Sequence, residues 1–419
     1  MEIDKLYKIF LNHPNITIDS RSIKKNSIFF SLKGNNFNGN KFARESLNNG
    51  CKYAIIDEKK YLNKNCILVK DTKETLQKLA AFHRKKLNIP LIGITGTNGK
   101  TTTKELVSKV LSSKYKCYST DGNLNNQIGV PISILEIRQD HEIAVIEMGA
   151  NKIGEIKNLC KIAQPEAGII TNIGKAHLEG FGNYNGIIKA KTELYDYLYL
   201  KKGIVFVNND DKLLIEKSSK LNTYSYGNEI NSSIKSEKKE VFPFLKLKID
   251  NTLISSNLTG EFQYYNIMAA CAIGTYYNIS INKIKKSIES YIPKNNRTEI
   301  VKTKKNFIIL DAYNANPSSM SIMIDSFQKL NKKNKLCILG EMRELGKYSE
   351  EEHNKIYNKL VDIGIETIYI GDKFNNITEN HYANIEDFIL NMDKYNLTNR
   401  SILIKGSRSV YLEKVVSFL

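Results

Sequence analysis

The sequence predicts an α/β protein built from three domains, and three observations lead there. From residue 91 the chain alternates strand, loop and helix, and the alternation begins again after Pro293. Its 419 residues suit several domains of ~100–200 residues each. Hydrophobic residues are 41% and charged residues 25%, enough apolar material for several packed cores. The expected units are an N-terminal mixed α/β domain over 1–88, a central domain over 89–295 with a mostly parallel sheet flanked by helices, and a C-terminal Rossmann-like α/β domain over 296–419.

Each element has a local reason. Residues 28–32 and 53–56 are short apolar runs between polar turns, which suits strands. Residues 71–86 carry apolar side chains at helical spacing (Leu76, Leu79, Ala80, Phe82), with Asp71 or Thr72 as cap. Strands are expected at 91–95, 143–148, 168–171 and 203–207, and helices at 100–113 and 187–200. Residues 241–259 read as a small hairpin, followed by paired helices at 266–277 and 281–290. In the last domain, strands are expected at 307–310, 336–339, 367–370 and 401–404, with helices at 318–330, 350–363 and 407–418. No fixed-period repeat or low-complexity linker interrupts this order.

Composition excludes several function classes. No run approaches the ~18 apolar residues of a membrane span, and Met1 to Lys5 lacks a basic stretch followed by an apolar run. A cytoplasmic address follows, with no membrane insertion. The six cysteines form no CxxC pair and read as reduced, buried thiols. Lys plus Arg is 62 against 44 Asp plus Glu, a formal charge of +18. The basic residues are spread along the chain without an aromatic RNA-binding motif, so no nucleic-acid partner is expected. Small anionic ligands such as nucleotides suit the charge. No coiled-coil seam is evident, and a monomer is expected.

The most specific motif is Gly93-Ile94-Thr95-Gly96-Thr97-Asn98-Gly99-Lys100-Thr101, between a strand and a helix. Glycines let backbone N–H groups turn inward around phosphate oxygens, and the helix N-terminus adds positive potential. Lys100 suits the β- and γ-phosphates and the Thr101 hydroxyl suits Mg²⁺. The strict phosphate-loop pattern would need glycine at Ile94, where this chain offers Gly93 and Gly96 instead. No Asn-Lys pair has Asp two places on, which excludes a guanine switch. Glu147 ends an apolar strand, where a carboxylate faces the ligand crevice of a parallel sheet, although such a residue is ordinarily only a cap. His177 follows another apolar strand in a Gly-rich loop, although a lone histidine is more often structural. Lys191 passes for a solvated helix face on spacing alone.

Taken together, these motifs resemble the Mur ligase family, ATP-dependent amide-bond ligases of bacterial cell-wall precursor synthesis. The loop resembles the family's Gly-x-x-Gly-Thr-Asn-Gly-Lys-Thr, which accounts for the departure from the strict pattern. The resemblance implies ATP and Mg²⁺ as cofactors. It implies nucleotide contacts from Gly96, Thr97, Asn98, Gly99, Lys100, Thr101, Thr102, Asn266, Arg297 and Asp311. It implies Mg²⁺ ligation by Thr101, Glu147, His177 and Lys191, the last as a carbamate, and catalytic roles for Lys100, Lys191, His177 and Glu147.

Within the family, Asp311-Ala312-Tyr313-Asn314-Ala315-Asn316-Pro317 resembles the D-alanyl-D-alanine-adding type. So do Leu339-Gly340-Glu341-Met342-Arg343-Glu344-Leu345-Gly346 with His353, and Lys405-Gly406-Ser407-Arg408. Asp19-Ser20-Arg21 and Leu32-Lys33-Gly34 resemble its N-terminal domain. This implies a UDP-N-acetylmuramoyl-tripeptide and D-alanyl-D-alanine as substrates, with contacts from Ser20, Arg21, Lys33, Asn314, Lys405 and Ser407. The family often has Gly-x-His-Asn-x-x-Asn before its adenine-side helix, where this chain has Phe262 and Gln263 in place of His-Asn. The competing implications are a sister ligase of another Mur or folylpolyglutamate type, and a basic RNA-binding ATPase without ligase activity.

Overall fold

The computed structural model describes residues 2–293 and 296–419. Three sheets carry the architecture. The first joins Ile16–Thr17, Ile28–Phe30, Tyr53–Ile56 and Cys66–Leu68, all parallel. Helix α1 (Thr72–Lys86) follows it, and Asp71 accepts the Glu74 N–H as its N-cap.

The second sheet has seven parallel strands. At its centre β1 (Leu91–Thr95) lies between β2 (Ile143–Glu147) and β3 (Ala167–Ile170). Cys117–Ser119 lies beyond β2, while Ile204–Asn208, Asn222–Gly227 and Ile234–Lys235 continue beyond β3. The chain after β1 therefore winds first to one side and then to the other. That switch opens a crevice at the carboxyl ends of the strands, where ligands bind in such folds. β1 leads through the glycine-rich loop into helix α2 (Lys100–Leu111). The hairpin expected over 241–259 is present as Lys246–Ile249 and Thr252–Ser255, with Glu237–Glu240 added as a third antiparallel strand. Helix α3 (Gln263–Tyr276) packs along α2.

The third sheet is parallel except for its first edge strand, Glu299–Lys302, which runs antiparallel to β4 (Phe307–Asp311). Helix α4 (Pro317–Gln328) follows β4, and β5 (Ser401–Lys405) lies beside it. The expected final helix over 407–418 is not α-helical: two short 3₁₀ segments, Arg408–Val410 and Leu412–Phe418, stand there. Tyr411 between them has φ +56°, which breaks any continuous right-handed helix.

One apolar core crosses the units, running from Leu76 through Val130 and Ile146 to Met320 and Leu339. Polar staples join the first sheet's helix to the second sheet. Buried Arg84 donates to the carbonyls of Ala163, Gln164 and Leu87 and to Glu166. Nδ1 of His83 meets Tyr7 Oη at 3.1 Å and its Nε2 meets the Ile137 carbonyl at 2.9 Å. A carbonyl only accepts, so Nε2 carries the proton. Burial pushes the His83 pKa down, favouring this neutral ring. All six cysteines are free.

Candidate active site

A cavity of about 660 Å³ opens at the carboxyl ends of the second sheet's strands and is closed over by the third. The glycine-rich loop forms its floor. Gly99 is the N-cap of α2 at φ +77°, and a Cβ there would come 2.6 Å from Asn266 Oδ1. Glycine is needed for both reasons. Asn266 is held by two buried bonds: Thr103 Oγ1 donates to its Oδ1, and its Nδ2 donates to Gln263 Oε1 at 2.7 Å. Lys100 Nζ donates to the carbonyls of Gly96 and Thr97, each at 2.9 Å. Burial lowers the Lys100 pKa, the Glu147 carboxylate opposes this, and Arg297 adds to it.

The loop after β3 clamps the phosphate loop from the side. Thr97 Oγ1 exchanges bonds with Gly174, and Asn172 bonds both the N–H and the carbonyl of Asn98. Glu147, 1% exposed, ends β2. Its Oε1 accepts from Asn125 at 2.7 Å, while its buried Oε2 has no hydrogen-bond partner. An unpartnered carboxylate oxygen on the wall of a cavity that Thr101 also lines offers a donor to a hard cation. Among the described residues, no three His, Cys, Asp or Glu side chains cluster as a self-sufficient metal site.

The third sheet contributes from above. Buried Lys405 donates to Asp311 Oδ2 at 2.6 Å and to the Asn314 carbonyl at 3.2 Å. Asp311 Oδ1 accepts the Thr298 N–H. The Arg297 guanidinium stacks on the Tyr313 ring at 3.6 Å. His177, at φ +50°, and Glu344, at φ +62°, face each other across the two units, with His177 Nδ1 against the Glu344 carboxylate. The pair holds the Glu344 pKa below the usual carboxylate value.

The cavity thus brings together Thr97 to Thr102, Glu147, His177, Asn266, Arg297, Asp311, Asn314 and Lys405. Gly96 lies just below it, and a Cβ there would meet Thr171 Oγ1. It does not bring the remaining expected residues to its wall. Arg21 is exposed and bound to Asp19, with Ser20 between them. Lys33 pairs with Asp57 at 3.1 Å. Ser407 accepts the Arg343 N–H in the third unit. Lys191 is 2% exposed inside its helix, with Nζ 5.5 Å from the Phe181 ring centre. Burial, then Lys100, lowers its pKa from 10.5 to about 7.

Sequence reasoning missed several wall residues: Lys73, Asn123, Asn125, Gln127, Glu155 and Asn316. A signal existed for three of them. Asp121-Gly122-Asn123-Leu124-Asn125-Asn126-Gln127 is a run of turn-forming residues between a strand and the Gly129–Glu136 helix, the composition of a loop with polar work to do.

Three family models match in sequence order: "Mur ligase family, catalytic domain" at 14–90, "Mur ligase middle domain" at 94–274, and "Mur ligase, glutamate ligase domain" at 296–396. A Bacillus subtilis (strain 168) protein named UDP-N-acetylmuramoyl-tripeptide--D-alanyl-D-alanine ligase is 32% identical, over 96% of this chain and 92% of its own length. The chain belongs to the Mur ligase family. Among solved structures, this Mur ligase resembles MurF from Acinetobacter baumannii with a TM-score of 0.88 and 29% identity, over 97% of this chain and 93% of that one. It also resembles MurF ligase from Thermotoga maritima, solved in complex with ADP, with a TM-score of 0.84 and 26% identity over 97% of each chain.

Proposed function

We propose that this Mur ligase uses ATP to join D-alanyl-D-alanine to a UDP-N-acetylmuramoyl-tripeptide, giving the UDP-linked pentapeptide of peptidoglycan synthesis with ADP and phosphate. The observation that carries it is the single cavity in which a Gly-Lys-Thr phosphate loop, a partnerless buried carboxylate oxygen on Glu147, and the Asp311, Asn314 and Lys405 cluster meet. The relatives named for this reaction match nearly the whole chain. The domains are read as 1–88 for the UDP-sugar peptide, 89–295 for ATP, and 296–419 for the dipeptide.

A carboxylate is a poor acyl donor near neutral pH. In the proposed sequence its oxygen attacks the γ-phosphorus, ADP leaves, and an acyl phosphate forms. The dipeptide amine then attacks the carbonyl carbon and loses a proton, and phosphate departs from the tetrahedral intermediate. The loop amides and Lys100 stabilise phosphate charge as it moves to the leaving group. Gly96 to Thr102 and Asn266 cradle the nucleotide, with Arg297 and Asp311 reaching it from the third unit. Asn314, Lys405 and Ser407 orient the dipeptide, while Ser20, Arg21 and Lys33 bind the UDP-linked substrate. Closure of the third unit excludes water from the acyl phosphate.

Thr101 and Glu147 would hold one Mg²⁺, and His177 with Lys191 as its carbamate would hold another. Mg²⁺ held by these residues would supply charge neutralisation for phosphoryl transfer. A buried amine with a pKa of about 7 is about half uncharged at neutral pH, and that neutral fraction is nucleophilic toward carbon dioxide. One chain completes the cavity, so a monomer is the proposed acting unit. No described helix is long and apolar enough to cross a membrane. The cytoplasm, where ATP and UDP-linked precursors are found, is the proposed location.

The test is phosphate release from ATP with Mg²⁺ and UDP-N-acetylmuramoyl-tripeptide, with and without D-alanyl-D-alanine, and mass detection of the product. Dipeptide-dependent release with pentapeptide formation is expected. A folded protein that binds ATP but ligates neither the lysine nor the diaminopimelate tripeptide would overturn the reading.

A further inference from the structure

The first turn of α4 sits directly on the phosphate-binding side of the second sheet, and one side chain there has both ends committed. Asn316 is the N-cap of α4, and its Oδ1 accepts the Ser319 N–H at 2.9 Å. That bond fixes the amide's orientation, because only oxygen can accept. The other end is therefore Nδ2, which donates to Asn98 Oδ1 at 2.8 Å. Asn98 belongs to the phosphate loop. Its backbone N–H is already bound by Asn172 Oδ1, and its carbonyl accepts from Thr171 Oγ1 and Asn172 Nδ2. The Asn98 side chain is the end left for the third unit, and Asn316 takes it.

The surrounding packing makes this register narrow. Lys175 N–H donates to Ser318 Oγ at 2.7 Å, and Lys175 Nζ pairs with buried Glu352 at 3.0 Å. A Cβ on Gly174 would come within 2.7 Å of Ser318 Oγ and 3.0 Å of Ser318 Cβ. The backbone at 174 is thus bare where the first turn of α4 must approach.

We propose that Asn316 is a positioning residue that registers the third unit on the phosphate loop through Asn98, so that the loop takes its reactive shape only when α4 has docked. This rests on the ligase reading and deepens it. Asn316 touches no reacting atom in this account and acts through Asn98. An error of about 1 Å in such register is enough to cost roughly a hundredfold in rate.

The experiment uses the full chain with Asn316→Ser, Asn98→Ala, the double variant, and Gly174→Ala. Serine caps a helix about as well as asparagine but lacks the Nδ2 donor. The kcat for dipeptide-dependent phosphate release is expected to fall roughly ten- to a hundredfold in Asn316→Ser. Tm is expected to stay at the wild-type value, because the cap persists, while ADP affinity falls as Arg297 and Asp311 lose their register on the nucleotide. The double variant is expected to be no slower than the slower single, the signature of two residues acting as one unit. Gly174→Ala, which blocks docking without removing a hydrogen-bonding group, is expected to lower kcat and ADP affinity in the same way. Wild-type kcat in Asn316→Ser, multiplicative effects in the double variant, or a parallel loss of Tm and kcat would overturn the proposal. If the wild-type protein shows no dipeptide-dependent release, the ligase reading fails on its own. Small-angle scattering with Mg-ADP then decides the docking claim. A larger radius of gyration in Asn316→Ser and Gly174→Ala than in wild type supports it, and equal radii sink it.

Discussion

Gly99→Ala probes the phosphate loop at the position where backbone and packing are both most demanding. Gly99 sits at φ +77°, and an L side chain in the left-handed region costs roughly 1–2 kcal/mol. The new methyl would also lie 2.6 Å from Asn266 Oδ1, 3.1 Å from its Nδ2 and 3.2 Å from its Cγ. Asn266 cannot swing aside freely, because Thr103 and Gln263 hold its two amide ends in a buried setting. Displacing it forfeits two hydrogen bonds of about 0.5–1.5 kcal/mol each. The sum is a destabilisation of about 2–5 kcal/mol, a fall in Tm of roughly 5–15 °C. ADP affinity should drop with it, since the α2 N-terminus loses its shape. Thermal unfolding and calorimetric ADP titration measure both. Adding Asn266→Ala to Gly99→Ala removes the obstacle, so the double variant should lose less stability than the two single losses summed. A Gly99→Ala protein with wild-type Tm and ADP affinity, or strictly additive losses, would refute the reasoning.

Other outcomes are equally specific. Lys100→Ala should lower kcat/KM for ligation by roughly 10²–10³, or ~2.7–4 kcal/mol, the scale of one lost electrostatic donor; near-normal steady-state turnover would remove Lys100 from the mechanism. Arg84→Met should reduce the unfolding free energy in urea by about 2–4 kcal/mol, because it strands buried carbonyls at Leu87, Ala163 and Gln164; an unchanged midpoint would show that the apolar core alone joins the units. His353 is fully buried with Nδ1 directed at the Ser349 carbonyl and Nε2 accepting the Met342 N–H. Burial lowers its pKa below the ordinary 6.5, so the unfolded chain binds more protons between the folded value and 6.5. Stability should therefore be complete above pH 6.5 and fall as pH drops through that window, and His353→Gln should flatten the fall. A Tm profile of equal slope in wild type and variant would count against this.

What the sequence made legible was local. Strand–loop–helix rhythm is written in short apolar runs and turn residues, and Asp71 reads as a cap because an Asp before a helical run has an acceptor for the free N–H groups. The phosphate loop is legible because its chemistry needs contiguous glycine, lysine and threonine. The misses are non-local. Glu299–Lys302 becomes a strand only because β4 offers it an antiparallel edge. Residues 407–418 carry buried Val410, Leu412 and Val415 at intervals that mimic a helix, yet the left-handed Tyr411 divides them. Most of the cavity wall lies on loops from at least six separate parts of the chain. Lys73 and Asn316 are 243 positions apart, yet both line the cavity, a relation no window of sequence displays.

Three departures from the family's usual residues, at two places, show how the chain reconciles local change with a shared site. Gln263 stands where asparagine is common, and its longer amide reaches back to accept from Asn266 Nδ2 one helical turn on. The residue that differs thus fixes the residue that is kept. Phe262 replaces histidine and lines the cavity at the start of α3, which exchanges a polar ring for an apolar face on the nucleotide side. Glu341 stands where the resembled motif, Leu-Gly-Asp-Met-x-Glu-Leu-Gly, has aspartate, and it carries one more methylene. It is buried, pairs with Arg343, and accepts the Lys373 N–H, and its Cγ would lie 2.7 Å from a Cβ on Gly371. Glycine at 371, at φ +121°, makes room for the extra methylene. In both places a neighbour absorbs the change in side-chain length, so the phosphate loop and the Asp311–Lys405 pair keep their surroundings. Reverting Gln263 to asparagine should consequently lower the Tm of this protein, since it leaves the buried Asn266 Nδ2 beyond reach of its acceptor.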